Sequence, residues 1–303
     1  MSADLRVGLD IGGTKVLGVV VAADGAVLAQ TRASTVPGAD GVVTSAATVL
    51  ERLSAALDGA LPAQVGVGFP GIVDRDRGAV SHAVNLRLGG DWLPIADLLA
   101  ERTGAAVLVE NDVRAATWGA HVLTGTDDLG YLSIGTGLAA GFVLDGTLRR
   151  GAAGAAGEIG HVPVNPDGQL CSCGQRGCLE LSAAASALNT AWPGDGMLSP
   201  AAALFAAAAA GDLAAAAVRG RYATWVADAV RMIGLAVDPA AIIIGGGITD
   251  VGEPLLAAVT AALRAQAASS SFLAALDLAA RVRLVPAGVP VGAIGAAMIW
   301  DAR

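Results

Sequence analysis

Apolar and polar positions change period along the chain, and the changes mark its elements. Leu5–Leu9 and Val16–Val21 are short apolar runs on either side of a glycine turn, and Ala26–Ala33 follows; three strands are predicted. Val42, Val43, Ala46, Val49, Leu50, Leu53 and Leu57 then fall on one stripe at helical spacing, which predicts an amphipathic helix over Val42–Leu57. Val65–Phe69 is a short buried strand ended by Pro70-Gly71. Ala105–Val109 is another, with helix-start residues at Asn111-Asp112.

A second round opens near Leu129. Tyr131–Ile134 reads as a strand, Gly135-Thr136-Gly137 as a turn and Ala139–Leu144 as the returning strand, with Asp145-Gly146 as a hairpin turn. Val7–Val21 and Tyr131–Leu144 share this plan, so the chain carries a weak internal duplication. Helices are predicted over Pro200–Ala210, Asp212–Val237 and Pro254–Ala267. The strand Ala241–Ile244 runs into Gly245-Gly246-Gly247, Val282–Val285 is a further strand, and Val291–Trp300 is a closing helix. Two α/β domains follow, with a boundary near 112–128. We assign 1–115 to the first and 116–290 to the second, with 291–303 returning to the first.

Composition narrows the function. Of 303 residues, 54% are hydrophobic and 15% charged, which excludes a disordered chain. A formal net charge of −8 offers no basic face for a phosphate backbone, so no nucleic-acid partner is expected. The mean hydropathy of +0.61 invites a membrane reading. A spanning helix needs about 20 consecutive apolar residues, and the alanine-rich stretch 201–217 is broken by Gly211 and Asp212. With no secretory pattern in Met1–Asp10, a cytoplasmic protein is expected.

Four motifs carry chemistry. Asp10-Ile11-Gly12-Gly13-Thr14-Lys15 sits on a predicted hairpin turn; its glycines admit a phosphate to backbone N–H groups, Thr14 adds a hydroxyl, and Asp10 suits Mg²⁺ held through water. An ordinary glycine hairpin explains the same residues. Gly135-Thr136-Gly137 repeats the device, while Gly245-Gly246-Gly247 reads by itself as a tight strand-to-helix turn. In Glu110-Asn111-Asp112, a rigidly held Asp is able to accept a proton during phosphoryl transfer, although the local sequence by itself describes a helix cap.

All three cysteines, Cys171, Cys173 and Cys178, fall in one loop. With His161 they form H-x₉-C-x-C-x₄-C, a Cys₃His set of the kind that closes around structural Zn²⁺; free or redox-active thiols are the alternative. Glu158 and Glu180 flank the loop, and carboxylates suit sugar hydroxyls. His82 and His121 receive no role.

In this order the motifs resemble the ROK family (repressors, open reading frames, kinases) over nearly the whole chain. The similarity runs from Asp10–Lys15 through Gly68-Phe69-Pro70-Gly71, Asn85-Leu86, Asn111-Asp112, Gly135-Thr136-Gly137 and Gly157–His161 to the cysteine loop and Glu180. Two departures stand out: Leu138-Ala139-Ala140 where further glycines are common, and Gly119-Ala120 where Gly-Glu is common.

The resemblance implies an actin-like, hexokinase-like (ribonuclease H-like) two-domain ATPase fold around a cleft, with a structural zinc loop over 161–178. It implies ATP-dependent phosphorylation of a hexose O6, glucose first. An N-acetylhexosamine, mannose or fructose kinase, a polyphosphate donor, or a non-catalytic sugar sensor are the alternatives. A repressor is not expected, because the phosphate motif begins at Asp10 with no helix-turn-helix ahead of it.

Carried over by position, Asp112 is the general base, and Gly71, Asn85, Asn111, Asp112, Glu158, His161 and Glu180 contact the sugar. Asp10, Gly12, Gly13, Thr14, Lys15, Gly135, Thr136 and Gly137 hold the phosphates and Mg²⁺. Gly245, Gly246 and Gly247 hold the adenosine side, and His161, Cys171, Cys173 and Cys178 hold zinc. A homodimer or homotetramer is implied.

Overall fold

The computed structural model describes residues 5–302 apart from 58, 60, 195 and 197, and its contacts divide the chain into two units. The first comprises Met1–Asp127, Asp145–Gly154 and Pro290–Arg303; the second comprises Asp128–Leu144 and Ala155–Val289.

The first unit contains β1 (Arg6–Ile11), β2 (Lys15–Val21), β3 (Val27–Ser34), α1 (Ala39–Ala56), β4 (Gln64–Phe69), β5 (Ile72–Asp74), β6 (Ala79–Ser81), α2 (Ile95–Thr103), β7 (Ala106–Asn111) and α3 (Asp112–Thr124). Its main sheet runs β3-β2-β1-β4-β7. β1, β2 and β3 form an antiparallel meander, whereas β4 and β7 join β1 in parallel. The stripe read from the sequence explains α1: Val42, Val43, Ala46, Val49, Leu50 and Leu53 are all buried in this unit's core.

The second unit repeats the plan. β8 (Leu129–Ile134) and β9 (Leu138–Leu144) form an antiparallel pair around the Gly135–Gly137 turn. The Asp145-Gly146 turn, with φ of 53° and 65°, then leads to β10 (Thr147–Arg149), which belongs to the first unit. After α4 (Glu180–Ala183), α5 (Ala185–Ala191), α6 (Pro200–Ala209) and α7 (Leu213–Ala236), β11 (Ala241–Gly245) pairs in parallel with β8. α8 (Glu253–Ala267), α9 (Ser271–Leu276) and α10 (Leu278–Arg281) precede β12 (Val282–Leu284), which extends the sheet in parallel.

α11 (Val291–Ala297) closes the chain by packing on β1, β4 and α3. It lies so close that a Cβ on Gly66 would overlap the Ala296 carbonyl, and one on Gly295 would overlap the carbonyl of Ala115. The closing helix is shorter than Val291–Trp300 because it tightens to a 3₁₀ turn at Ile299–Asp301. The assigned boundary at 115/116 falls inside α3, whose residues 114–120 are buried and which belongs whole to the first unit. No described helix is long and apolar enough to cross a membrane.

Candidate active site

Parallel strands leave their carboxyl ends on one edge, and open α/β sheets bind ligands there. In the first unit β1, β4 and β7 are mutually parallel, with Asp10 level with Gly68 and Phe69 level with Asn111. The edge therefore gathers Asp10, Gly71 and the adjacent pair Asn111 and Asp112 from three separate stretches of sequence.

The capping question at α3 has a definite answer. Asn111 is the cap: its Oδ1 accepts from the N–H groups of Val113 (3.1 Å) and Arg114 (3.2 Å). Asp112 is the first helical residue, where the positive end of the helix favours a carboxylate. Asp112 Oδ1 accepts from Asn111 Nδ2 (3.0 Å) and from the Val113 N–H (2.9 Å). The same amide donates to the Gly71 carbonyl (3.3 Å). Gly71 has φ of 91°, and a Cβ there would press on Ser81 and Ala83.

The Asp10–Lys15 turn lies beside this group. Gly12 N–H closes the hairpin on the Lys15 carbonyl (2.9 Å), and Thr35 Oγ1 donates to the Gly12 carbonyl (2.7 Å). The N–H groups of Gly13 and Thr14 have no hydrogen-bond acceptor among the described residues, which suits an anionic oxygen. A Cβ on Gly13 would stand 3.2 Å from Asn85 Cβ, so Asn85 lies directly against the turn. Lys15, Arg32, Ser34 and Arg52 line a cavity of about 480 Å³. Burial first, then Asp112, push the Asp10 pKa up to about 7, with Lys15 pulling the other way. A carboxylate so short of positive charge fits a site for a divalent cation.

The second unit builds its own group. Gly135 N–H bonds the Gly137 carbonyl (3.0 Å), and the start of α5 holds the turn through Ala185 N–H on Gly135 (3.0 Å) and Ser186 Oγ on Thr136 (2.7 Å). The N–H groups of Thr136 and Gly137 are left without acceptors among the described residues. Glu180 Oε2 accepts from the Leu138 N–H (2.9 Å) and sits against Gly137. The expected sugar ligand is thus tied to the second glycine turn. This uses the backbone donor at the first non-glycine departure, and Ala140 N–H is likewise taken by Gly157 (2.7 Å).

Exposed Glu158 opens the 3₁₀ turn Ile159–His161, which lies on β9 and on the start of α4. Gly245 pairs with Ser133, and Gly246 (φ 89°) packs against the Ile134 backbone. The third glycine turn therefore adjoins the second.

The Cys₃His residues come together. The ligand atoms of His161, Cys171, Cys173 and Cys178 all lie within 4.8 Å of one another. Cys173 Sγ and Cys178 Sγ are 3.6 Å apart, and Cys171 Sγ is 3.8 Å from His161 Nδ1. Tetrahedral zinc–thiolate bonds of about 2.3 Å separate sulfurs by about 3.8 Å, so the set fits zinc. Gln175 braces it, donating to the His161 carbonyl (3.0 Å) and to Cys173 Sγ (3.6 Å). Hydrogen bonds from Gln175 pull Cys173 down to about 6, whereas burial and the neighbouring thiols push Cys178 up to about 12.

Residues 6–303 match the ROK family. The chain belongs to the ROK family. Among ROK relatives it is 35% identical to a glucokinase of Thermotoga maritima, over 82% of this chain and 84% of that one. It is 31% identical to an N-acetylmannosamine kinase of Yersinia pseudotuberculosis, over 79% and 82%. A ROK glucokinase of Streptomyces griseus, solved with glucose and AMPPNP, superposes with a TM-score of 0.82 at 32% identity, covering 97% of this chain and 98% of that one. The fold is thus the actin-like, hexokinase-like fold of the ROK kinases.

Sequence reading missed the buried ion cluster behind Asn111. Glu110 is buried between Arg114 and Arg150, each at 2.7 Å. Its one signal was an acid inside an apolar strand with an arginine four residues later. Gly292 was missed as well; a Cβ there would stand 2.8 Å from Asp10 Oδ2.

Proposed function

We propose that this chain phosphorylates glucose at O6 with ATP. The observation that carries the reading is the gathering of Asp10, Asn111 and Asp112 at one sheet edge, with a glycine turn beside them whose amides await an anion. Kinship with glucokinases supports glucose as the acceptor; kinship with N-acetylmannosamine kinases supports a 2-acetamido hexose as the second reading.

Asp112 takes the proton from the sugar 6-hydroxyl as that oxygen attacks the γ-phosphorus. Its carboxylate is oriented for this by the Asn111 amide and the Val113 N–H. Asn85, Asn111, Glu158 and Glu180 hold sugar hydroxyls, with Gly71 leaving room for the ring. Gly13, Thr14, Thr136 and Gly137 donate to the phosphates, and Gly245–Gly247 give the nucleoside a flat backbone approach. Asp10 would hold Mg²⁺, which would supply neutralisation of charge on the transferring phosphoryl group. His161, Cys171, Cys173 and Cys178 would hold Zn²⁺ in a structural role, since four protein ligands would fill its coordination. His161 Nδ1 lies 3.8 Å from Cys171 Sγ; were Nδ1 the zinc ligand, Nε2 would be left to meet the sugar.

A panel of glucose, mannose, fructose, N-acetylglucosamine and N-acetylmannosamine, read by ADP release and by sugar phosphate, tests this. Glucose is expected to give the highest kcat/KM. A tenfold or greater preference for an acetamido sugar selects the second reading, and no ADP with any hexose overturns both.

A further inference from the structure

A buried carboxylate persists only where donors replace its water, and Glu110 has three. Its side chain is 2% exposed. Oε1 accepts from Arg114 Nε (2.7 Å) and from the Asn111 backbone N–H (3.0 Å), and Oε2 accepts from Arg150 Nε (2.7 Å). Arg114 in turn donates from Nη1 to the Gly154 carbonyl (2.7 Å). Burial acts to raise the Glu110 pKa, but the charges and hydrogen bonds of Arg114 and Arg150 outweigh it and lower the pKa, so the group is a carboxylate at neutral pH.

The cluster joins three stretches of the first unit: the end of β7, the first turn of α3 and the segment that follows β10. Two of these meet at Asn111, whose backbone is held by Glu110 and whose side chain fixes Asp112 Oδ1 and the Gly71 carbonyl. Packed apolar residues commonly stabilise a fold as well as a buried ion cluster does. What the ions add here is direction, because each hydrogen bond fixes one atom of the strand-to-helix junction.

We propose that Glu110 is the positioning residue for Asp112, fixing through Asn111 and Arg114 the junction that orients the Asp112 carboxylate. The proposal rests on the reading of Asp112 as the base. Preorganisation of this kind acts on the chemical step rather than on binding, since a small misplacement of a base costs rate while the sugar contacts persist.

The test uses Glu110→Gln and Arg150→Met, each alone and combined with Asp112→Asn, with kcat, both KM values, sugar affinity and thermal unfolding measured. Glu110→Gln is expected to lower kcat by about 10–100-fold with both KM values within about twofold, and Arg150→Met to lower it by about 3–10-fold. In the Asp112→Asn background neither lowers the residual turnover further, because the residue through which they act is gone. A Glu110→Gln enzyme with unchanged kcat overturns the proposal, as does one whose kcat falls by the same factor with and without Asp112. If Glu110→Gln does not fold, Arg150→Met is judged by the same two criteria; the Arg150 side chain is 25% exposed and its loss leaves Arg114 on the carboxylate. Failure of the base reading is separate: it appears as wild-type turnover in Asp112→Asn alone.

Discussion

Asp10 and Asp112 feel each other's charge from the ends of strands that β4 separates: burial first, and then the Asp112 carboxylate, push the Asp10 pKa up to about 7. The pair repels itself, and the proposed Mg²⁺ would relieve that repulsion.

That relationship predicts how stability varies with pH. An acid whose folded pKa lies above its ordinary value of 3.8 holds its proton longer in the folded state than in the unfolded one. The contribution of Asp10 to the stability of the nucleotide-free chain therefore falls as pH rises from about 4 to about 7 and levels off above, by at most about 1.4 kcal/mol per pH unit. Asp10→Asn removes this loss. Thermal unfolding at pH 4 and pH 8 is expected to show the variant more stable than wild type only at pH 8, while its turnover with Mg·ATP is lost.

Glu180, the proposed sugar ligand, is also tied to the second glycine turn. Because Oε2 takes the Leu138 N–H beside Gly137, Glu180→Ala loosens the glycine turn as well as removing a sugar acceptor. An unpaired amide of this kind costs about 1–3 kcal/mol. The variant is expected to raise KM for ATP and for sugar by about tenfold each; a change confined to the sugar contradicts the link.

Metal analysis is expected to return one zinc per chain. Chelation is expected to lower the unfolding temperature and to raise the sugar KM more than the ATP KM, because Glu158 and Glu180 flank the loop that carries the four proposed zinc ligands. A metal-free preparation with unchanged melting and KM values contradicts the assignment.

Close helix packing gives a structural prediction. Gly66→Ala places a methyl group on the Ala296 carbonyl and is expected to destabilise by about 3 kcal/mol. Gly220→Ala, in α7 with open space around it, is expected to stabilise by about 0.5–1 kcal/mol. Denaturant midpoints of the two variants check the contrast.

Local pattern revealed what local physics decides. The stripe from Val42 to Leu53 announced α1, and three thiols with one imidazole in a short loop announced the Cys₃His cluster. Each residue there needs only its sequence neighbours to be read. Features made by long-range packing were silent. α2 and the β5–β6 hairpin have no strong period, and the true unit boundary depends on α3 being buried under α11. Glu110 looked like one more residue at a strand end, since Arg150 lies 40 positions away. The capping competition at Asn111-Asp112 was undecidable from composition because both side chains cap well; backbone geometry awarded it to Asn111.

The proton acceptor is the centre of the account, and turnover of Asp112→Asn tests it most directly. With ADP release followed at saturating glucose and ATP, kcat is expected to fall by about 10²–10⁴-fold while the sugar dissociation constant changes less than about threefold. An Asp112→Asn enzyme that turns over within a few fold of wild type contradicts it.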